Sequence, residues 1–185
     1  ERMKLAVSLG CDGIEPDQNN PVGNNPGFPI TYADEKAWYL EIARQAHALG
    51  LSVGMKNGIE IVDSELVGAF DWALNEECFQ YRECDGMKQF VAAGKAVFQV
   101  EYQGDTASFC PSANSYGFSS MKKRLALDAW RATCWLALPP AQTRRAHTCR
   151  IGNRARVTWL PRASGGAVRK PALRICGVGG DSAEP

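Results

Sequence analysis

Four apolar segments in succession each end in polar residues, and the stretches between them carry helical periodicity. The segments are Cys11-Asp12-Gly13-Ile14-Glu15-Pro16-Asp17, Leu51-Ser52-Val53-Gly54-Met55-Lys56-Asn57, Phe70-Asp71-Trp72-Ala73-Leu74-Asn75-Glu76 and Ala96-Val97-Phe98-Gln99-Val100-Glu101-Tyr102. Strands separated by helices argue for a parallel sheet, because each helix carries the chain back before the next strand begins. In such sheets the strand C-terminal ends gather at one edge, where ligands bind. The ends here are Glu15 and Asp17, Lys56 and Asn57, Asn75 and Glu76, and Glu101 and Tyr102. One polar strand end is routine, since every strand must leave the core. Four in a row, three of them with a carboxylate, point to a functional edge.

The connecting elements are legible too. Met3 to Gly10 reads as the end of a helix, with Gly10 as terminator. A loop rich in Asn, Gly and Pro runs from Gln18 to Pro29. Thr31 with Asp34 three positions on reads as a helix N-cap. The helix that follows carries Tyr39, Ile42, Ala43, Ala46 and Leu49 on one face, and Gly50 ends it. Short helices are expected over Ser64 to Ala69 and over Gly86 to Ala93. Tyr116 to Met121 gives a weaker fifth strand, followed by a helix from Lys122 to Arg131. The fold class is α/β.

Alternation assigns faces. Gly13, Glu15 and Asp17 share one face of their strand, as Val97, Gln99 and Glu101 share one of theirs. Both sets are expected at an acidic mouth. Crowded carboxylates repel, so some are held protonated while others stay ionised. That division suits a general acid working beside a nucleophile or base.

Charge divides the chain. Residues 1–130 hold 11 Lys+Arg against 18 Asp+Glu, a net of −7, whereas residues 131–185 hold 10 against 2, a net of +8. The second part has no Phe or Tyr, nine of its ten basic residues are Arg, and it shows no sustained period. It reads as an irregular basic tail over 132–185, beside a domain over 1–131 and not native to it. Of seven cysteines, Cys78 and Cys84 stand six apart, which is not a zinc-ligand spacing, and the chain has two His. No metal site is expected. Disulfides of a secreted enzyme and buried free thiols both suit the cysteines. No apolar run reaches the ~18 residues of a membrane helix.

Several long motifs, in order, resemble glycoside hydrolase family 114, the endo-α-1,4-polygalactosaminidases. They are Gly10 to Asp17 followed by Gly27-Phe28-Pro29-Ile30-Thr31, then Gly50 to Asn57, Phe70 to Glu76 and Gly94 to Tyr102. The resemblance covers about Met3 to Arg131. It implies a (β/α)₈ TIM-barrel glycosidase of which this chain holds about the last five βα units. Five strands cannot close a barrel, so an incomplete copy, weakly active or inactive, is expected.

The family's acids carry over to Asp17, the expected nucleophile, and Glu76, the expected acid/base. Glu77 stands where the family more often has an amide. Glu15, Lys56, Asn57, Asn75, Glu101 and Tyr102 are candidate substrate-binding residues. Tyr102 is expected to stack on a sugar or to sit at the rim, and Lys56 to orient a carboxylate. Trp38 and Trp72 are expected to pack, and His47 to lie on its helix. The resemblance implies a secreted monomer, a galactosamine-containing polysaccharide as substrate, no cofactor and no nucleic-acid partner. The acidic balance of residues 1–130 suits a cationic polymer. Two other readings are a carbohydrate-binding pseudoenzyme and a barrel enzyme using Lys56 covalently, which needs a lowered lysine pKa.

Overall fold

The computed structural model describes residues 1–134 and three short strands beyond them, Thr148–Arg150, Arg156–Thr158 and Ile175–Val178. The chain opens with α1 (Arg2–Ser8) and β1 (Gly13–Pro16). Then come α2 (Tyr32–Ala48), β2 (Ser52–Lys56), α3 (Ser64–Ala69) and β3 (Trp72–Glu76). After them lie α4 (Cys78–Tyr81), α5 (Lys88–Ala92), β4 (Val97–Glu101), α6 (Thr106–Tyr116), β5 (Ser119–Lys122) and β6 (Ala132–Thr133). The three later strands are β7, β8 and β9 in that order.

The fold is mixed α/β, built on a mainly parallel sheet of order β6-β5-β4-β3-β2-β1-β9. β1 to β5 pair in parallel with their neighbours, as the intervening helices require. β9 pairs parallel with β1, and β6 pairs antiparallel with β5. β7 and β8 form a separate antiparallel pair. Apart from these strands and Ala132 to Cys134, the expected irregular tail lies outside the described residues.

α2 starts where Thr31 and Asp34 exchange reciprocal hydrogen bonds in a capping box. It buries Tyr39, Ile42, Ala43 and Ala46, spaced to line one stripe of a helix. That stripe packs into a core with Val53, Met55, Leu66, Phe70, Ala73, Phe90 and Val97. Burial of side chains this size stabilises by about 1.5–3 kcal/mol each. Leu49 stays 37% exposed, at the far end of the stripe. The core faces the helices, and the other face of the sheet carries the alternate residues. There, Trp72 crosses β2 and donates from its indole N–H to Ser52 Oγ at 3.0 Å. Gly54 makes room for it, since a Cβ at that position would meet the ring at 2.3 Å.

One expectation fails at the C-terminal side. Lys122 to Arg131 is not a helix: Lys122 ends β5, Leu125 and Leu127 are exposed, and Leu127 has φ +50°. No helical stripe could be buried there. Conversely α6 forms where no helix was read, because its Ser, Asn and Pro111 are poor helix formers. Asp105 caps it, and burial of Phe109 and Ala113 offsets the propensity. β6 adds an antiparallel edge at Ala132–Thr133, and the next residue, Cys134, is disulfide-bonded to Cys110. Cys78 and Cys84 form a second disulfide, and Cys11 is also disulfide-bonded.

Candidate active site

The C-terminal ends of β1, β2 and β3 converge on one ammonium group. Lys56 Nζ lies 3.0 Å from Asp17 Oδ1, 3.3 Å from Glu15 Oε1 and 3.3 Å from Glu76 Oε2. Backbone alternation produces this meeting. Glu15 and Asp17, Ser52, Gly54 and Lys56, and Trp72 and Glu76 occupy same-parity positions on neighbouring strands, so their side chains leave the same face. Lys56 is only 6% exposed at its side chain, Glu15 16%, Glu76 29% and Asp17 36%. The base of the cluster is therefore dry and its rim open to a ligand.

Burial governs the charges. Desolvation pushes the Glu15 carboxyl above the ordinary carboxylate value; Lys56 opposes this, while Asp17 and Glu76 add to it. For Lys56, desolvation is the largest single influence and disfavours the ammonium. Glu15, Glu76 and Asp17 together outweigh it, so the Lys56 pKa is raised. A raised pKa is the opposite of what covalent amine chemistry needs. Beneath the cluster, the buried Tyr39 hydroxyl donates to the Lys56 carbonyl at 2.7 Å and braces the end of β2.

Glu76 is held from several sides. The Tyr102 hydroxyl donates to its Oε1. Its backbone N–H donates to Asn57 Oδ1 at 2.9 Å, and the Asn75 amide donates to the same oxygen at 3.3 Å. Asn75 Oδ1 in turn accepts from the Cys78 N–H at 3.1 Å, which ties the strand end to α4. Asn57 and Glu77 have φ of +50° and +61°, so the chain turns sharply beyond both strands. Burial, with the bond to Glu76 second, raises the Tyr102 pKa, which keeps the phenol protonated as a hydrogen-bond donor to Glu76.

Glu101 departs from the expected acidic mouth. Its side chain is 2% exposed and lies among the groups on the helix-facing side of β4. Oε1 accepts from the Phe79 N–H at 3.0 Å and from Gln99 Nε2 at 2.6 Å, and Ser120 Oγ donates to Gln99 Oε1 at 2.8 Å. The reason is parity: Tyr102 follows Glu101 by one residue and takes the opposite face. Desolvation raises the Glu101 pKa against the pull of those donors. Glu101 thereby anchors α4, whose Phe79 ring also stacks on Phe109 and Tyr116 at 5.9 Å.

The structure thus brings Glu15, Asp17, Lys56, Glu76 and Tyr102 together, places Asn57 and Asn75 as supports behind them, and sets Glu101 apart. Trp72 packs as expected, whereas Trp38 is 54% exposed. His47 is an exposed residue of α2 that lies 3.0 Å from Asp71. Tyr39 was missed; its signal was a tyrosine on a buried helical stripe, whose hydroxyl needs a partner. Among the described residues, no group of three or more His, Cys, Asp or Glu is arranged to hold a metal ion, and no helix is long and apolar enough to cross a membrane.

Comparison with known proteins gives this cluster a context. The family model described as glycoside-hydrolase family GH114 matches residues 1–138. The crystal structure of Aspergillus fumigatus Ega3 in complex with galactosamine is similar at 32% sequence identity and a TM-score of 0.66, over 72% of this chain and 58% of that one. The chain therefore spans less than two thirds of that relative's length. A search of curated proteins finds no match.

Proposed function

This chain belongs to glycoside-hydrolase family GH114, and from that premise we propose that it cuts internal α-1,4-galactosaminyl linkages of a cationic polysaccharide, using Asp17 and Glu76. One observation carries the reading: Asp17 and Glu76 flank a single buried ammonium at the open edge of the sheet. Since their oxygens touch the same nitrogen at 3.0 and 3.3 Å, they lie within about 6.3 Å of each other. Two carboxylates that share one ammonium suit the closely spaced pair of a retaining glycosidase, ~5–5.5 Å apart, better than a pair held open around a water.

In this mechanism protonated Glu76 gives its proton to the glycosidic oxygen. Asp17 attacks the anomeric carbon, the C–O bond to the leaving sugar breaks, and a glycosyl ester forms. Glu76 then takes a proton from water, which cleaves the ester and restores Asp17. Tyr102 and Asn57 hold Glu76 in place, and Lys56 balances the cluster and sets its spacing. Glu15, with its raised pKa, offers a carboxyl to a sugar hydroxyl or amine. This arc of βα units is read as part of a (β/α)₈ barrel. The disulfides suit an oxidising, extracellular setting.

The test is incubation of the purified protein with α-1,4-linked galactosaminogalactan, following chain length and the anomer first released. A slow fall in chain length, by internal cuts and with retention of configuration, is expected of a weakly active copy. Release of single sugars from chain ends overturns the endo reading, and an inverted product overturns the assigned roles.

A further inference from the structure

Glu76 is the last residue of β3, and the backbone beyond it takes an uncommon path. Glu77 has φ +61°, and Arg82, at the other end of α4, has φ +59°. Neither is a glycine. Left-handed backbone is costly for a residue with a Cβ, and it persists only where the surroundings impose it. At four residues, α4 is too short to impose it alone.

Two kinds of restraint meet at this turn. The first is hydrogen bonding. The Glu77 N–H donates to the Val100 carbonyl at 2.8 Å, and the Cys78 N–H donates to Asn75 Oδ1 at 3.1 Å. The Glu83 N–H closes the loop on the Cys78 carbonyl at 2.9 Å. The second restraint is covalent. Cys78 follows Glu77 directly, is fully buried, and is disulfide-bonded to Cys84. Cys84 opens a turn over Cys84–Met87, and both of those end residues belong to the hydrophobic core. The bond thus ties the segment bounded by the two left-handed residues to the core, starting two residues beyond Glu76. The other disulfide supplies a contrast. It joins Cys110 of α6 to Cys134 beyond β6, and no residue of the carboxylate cluster adjoins either cysteine in sequence.

We propose that the Cys78–Cys84 disulfide is a positioning device for Glu76: it holds Glu77 in its left-handed turn, and that turn keeps the Glu76 carboxyl against Lys56 and Tyr102. The use of that carboxyl in cleavage rests on the function proposed above; the restraint on the turn rests on Glu77, Cys78 and Cys84. Glu101 binds the N–H of the following residue, Phe79, so the disulfide fixes Cys78 with or without that bond.

The test removes each disulfide from the full chain, as Cys78→Ala with Cys84→Ala and as Cys110→Ala with Cys134→Ala. Hydrolysis of α-1,4-linked galactosaminogalactan is normalised to folded protein. Loss of the first bond should lower kcat about tenfold and leave KM within about twofold of the parent. Loss of the second should lower Tm and leave kcat near the parent. Adding Glu77→Gly to the first variant should recover most of the lost kcat, because glycine takes positive φ without a Cβ penalty; a bond that merely stabilises the fold gives no such rescue. Amide hydrogen exchange reads the turn without any need for turnover. Protection at the Glu76 and Cys78 N–H groups should fall about tenfold or more in the first variant and hold in the second. If the first variant does not fold, the same pair removed together with Glu77→Gly should fold and turn over. Failure of both to fold overturns the proposal, as do equal losses of kcat in the two disulfide variants or unchanged protection in the first. Lost protection at Glu76 and Cys78 with no hydrolysis by the parent sinks the proposed function and leaves the held turn standing. Hydrolysis that persists undiminished without the Cys78–Cys84 bond does the reverse.

Discussion

Glu76 and Glu101 end neighbouring parallel strands and look alike in sequence, yet they do different work. Glu76 leaves the sheet on the face of Asp17 and Lys56, partly open to solvent and gripped by Tyr102. Glu101 leaves on the helix-facing side, 2% exposed, with its oxygen bound to a backbone N–H and a buried glutamine. A one-residue difference in parity separates a carboxylate available for chemistry from one that holds a helix turn in place. On β4 it is Tyr102, next in sequence, that reaches the site.

Substitutions on the two faces should therefore fail differently. The largest expected effect is at Asp17: Asp17→Asn should lower turnover about 10³-fold or more while leaving the melting temperature nearly unchanged, as read by reducing-end release and calorimetry. Glu101→Ala should do the opposite. It leaves the Phe79 N–H without its side-chain acceptor and the Gln99 amide with only the Val100 carbonyl, at a cost of about 1–3 kcal/mol of stability, with turnover per folded molecule close to the parent; denaturant titration alongside an activity assay reads both. Tyr102→Phe should be milder, with about a tenfold fall in kcat and a shifted pH profile, because Glu76 loses its phenol donor but keeps Lys56.

The smallest effect concerns pH. Glu101 has a folded-state pKa raised above the ordinary 4.5. Its contribution to stability is thus fully present below 4.5 and lost as pH rises through the raised value. Glu101→Gln keeps an acceptor for both donors and removes the ionisation. Its stability should fall less than the parent's over that window, and a matched slope would show that Glu101 does not titrate there.

Most of the parallel arc was legible because its signals are local. Apolar runs marked β1 to β4, Thr31 with Asp34 marked the start of α2, and glycines 10, 50 and 94 marked turns whose φ is positive. The convergence of Asp17, Lys56 and Glu76 followed from strand ends meeting at one edge. Glu101 was misplaced because its parity was read within its own strand, where nothing says which face is the mouth; that is set by register to β3. α6 escaped notice because tertiary burial of Phe109 and Ala113 overrides weak propensity.

The most direct measurement compares Glu76→Gln with Glu101→Gln in one assay of reducing-end release from an α-1,4-galactosamine polymer, normalised to folded protein. The expected result is a fall of about 10³-fold for Glu76→Gln and a rate near the parent for Glu101→Gln. Equal losses in the two, or full turnover in Glu76→Gln, would contradict the division of the two faces.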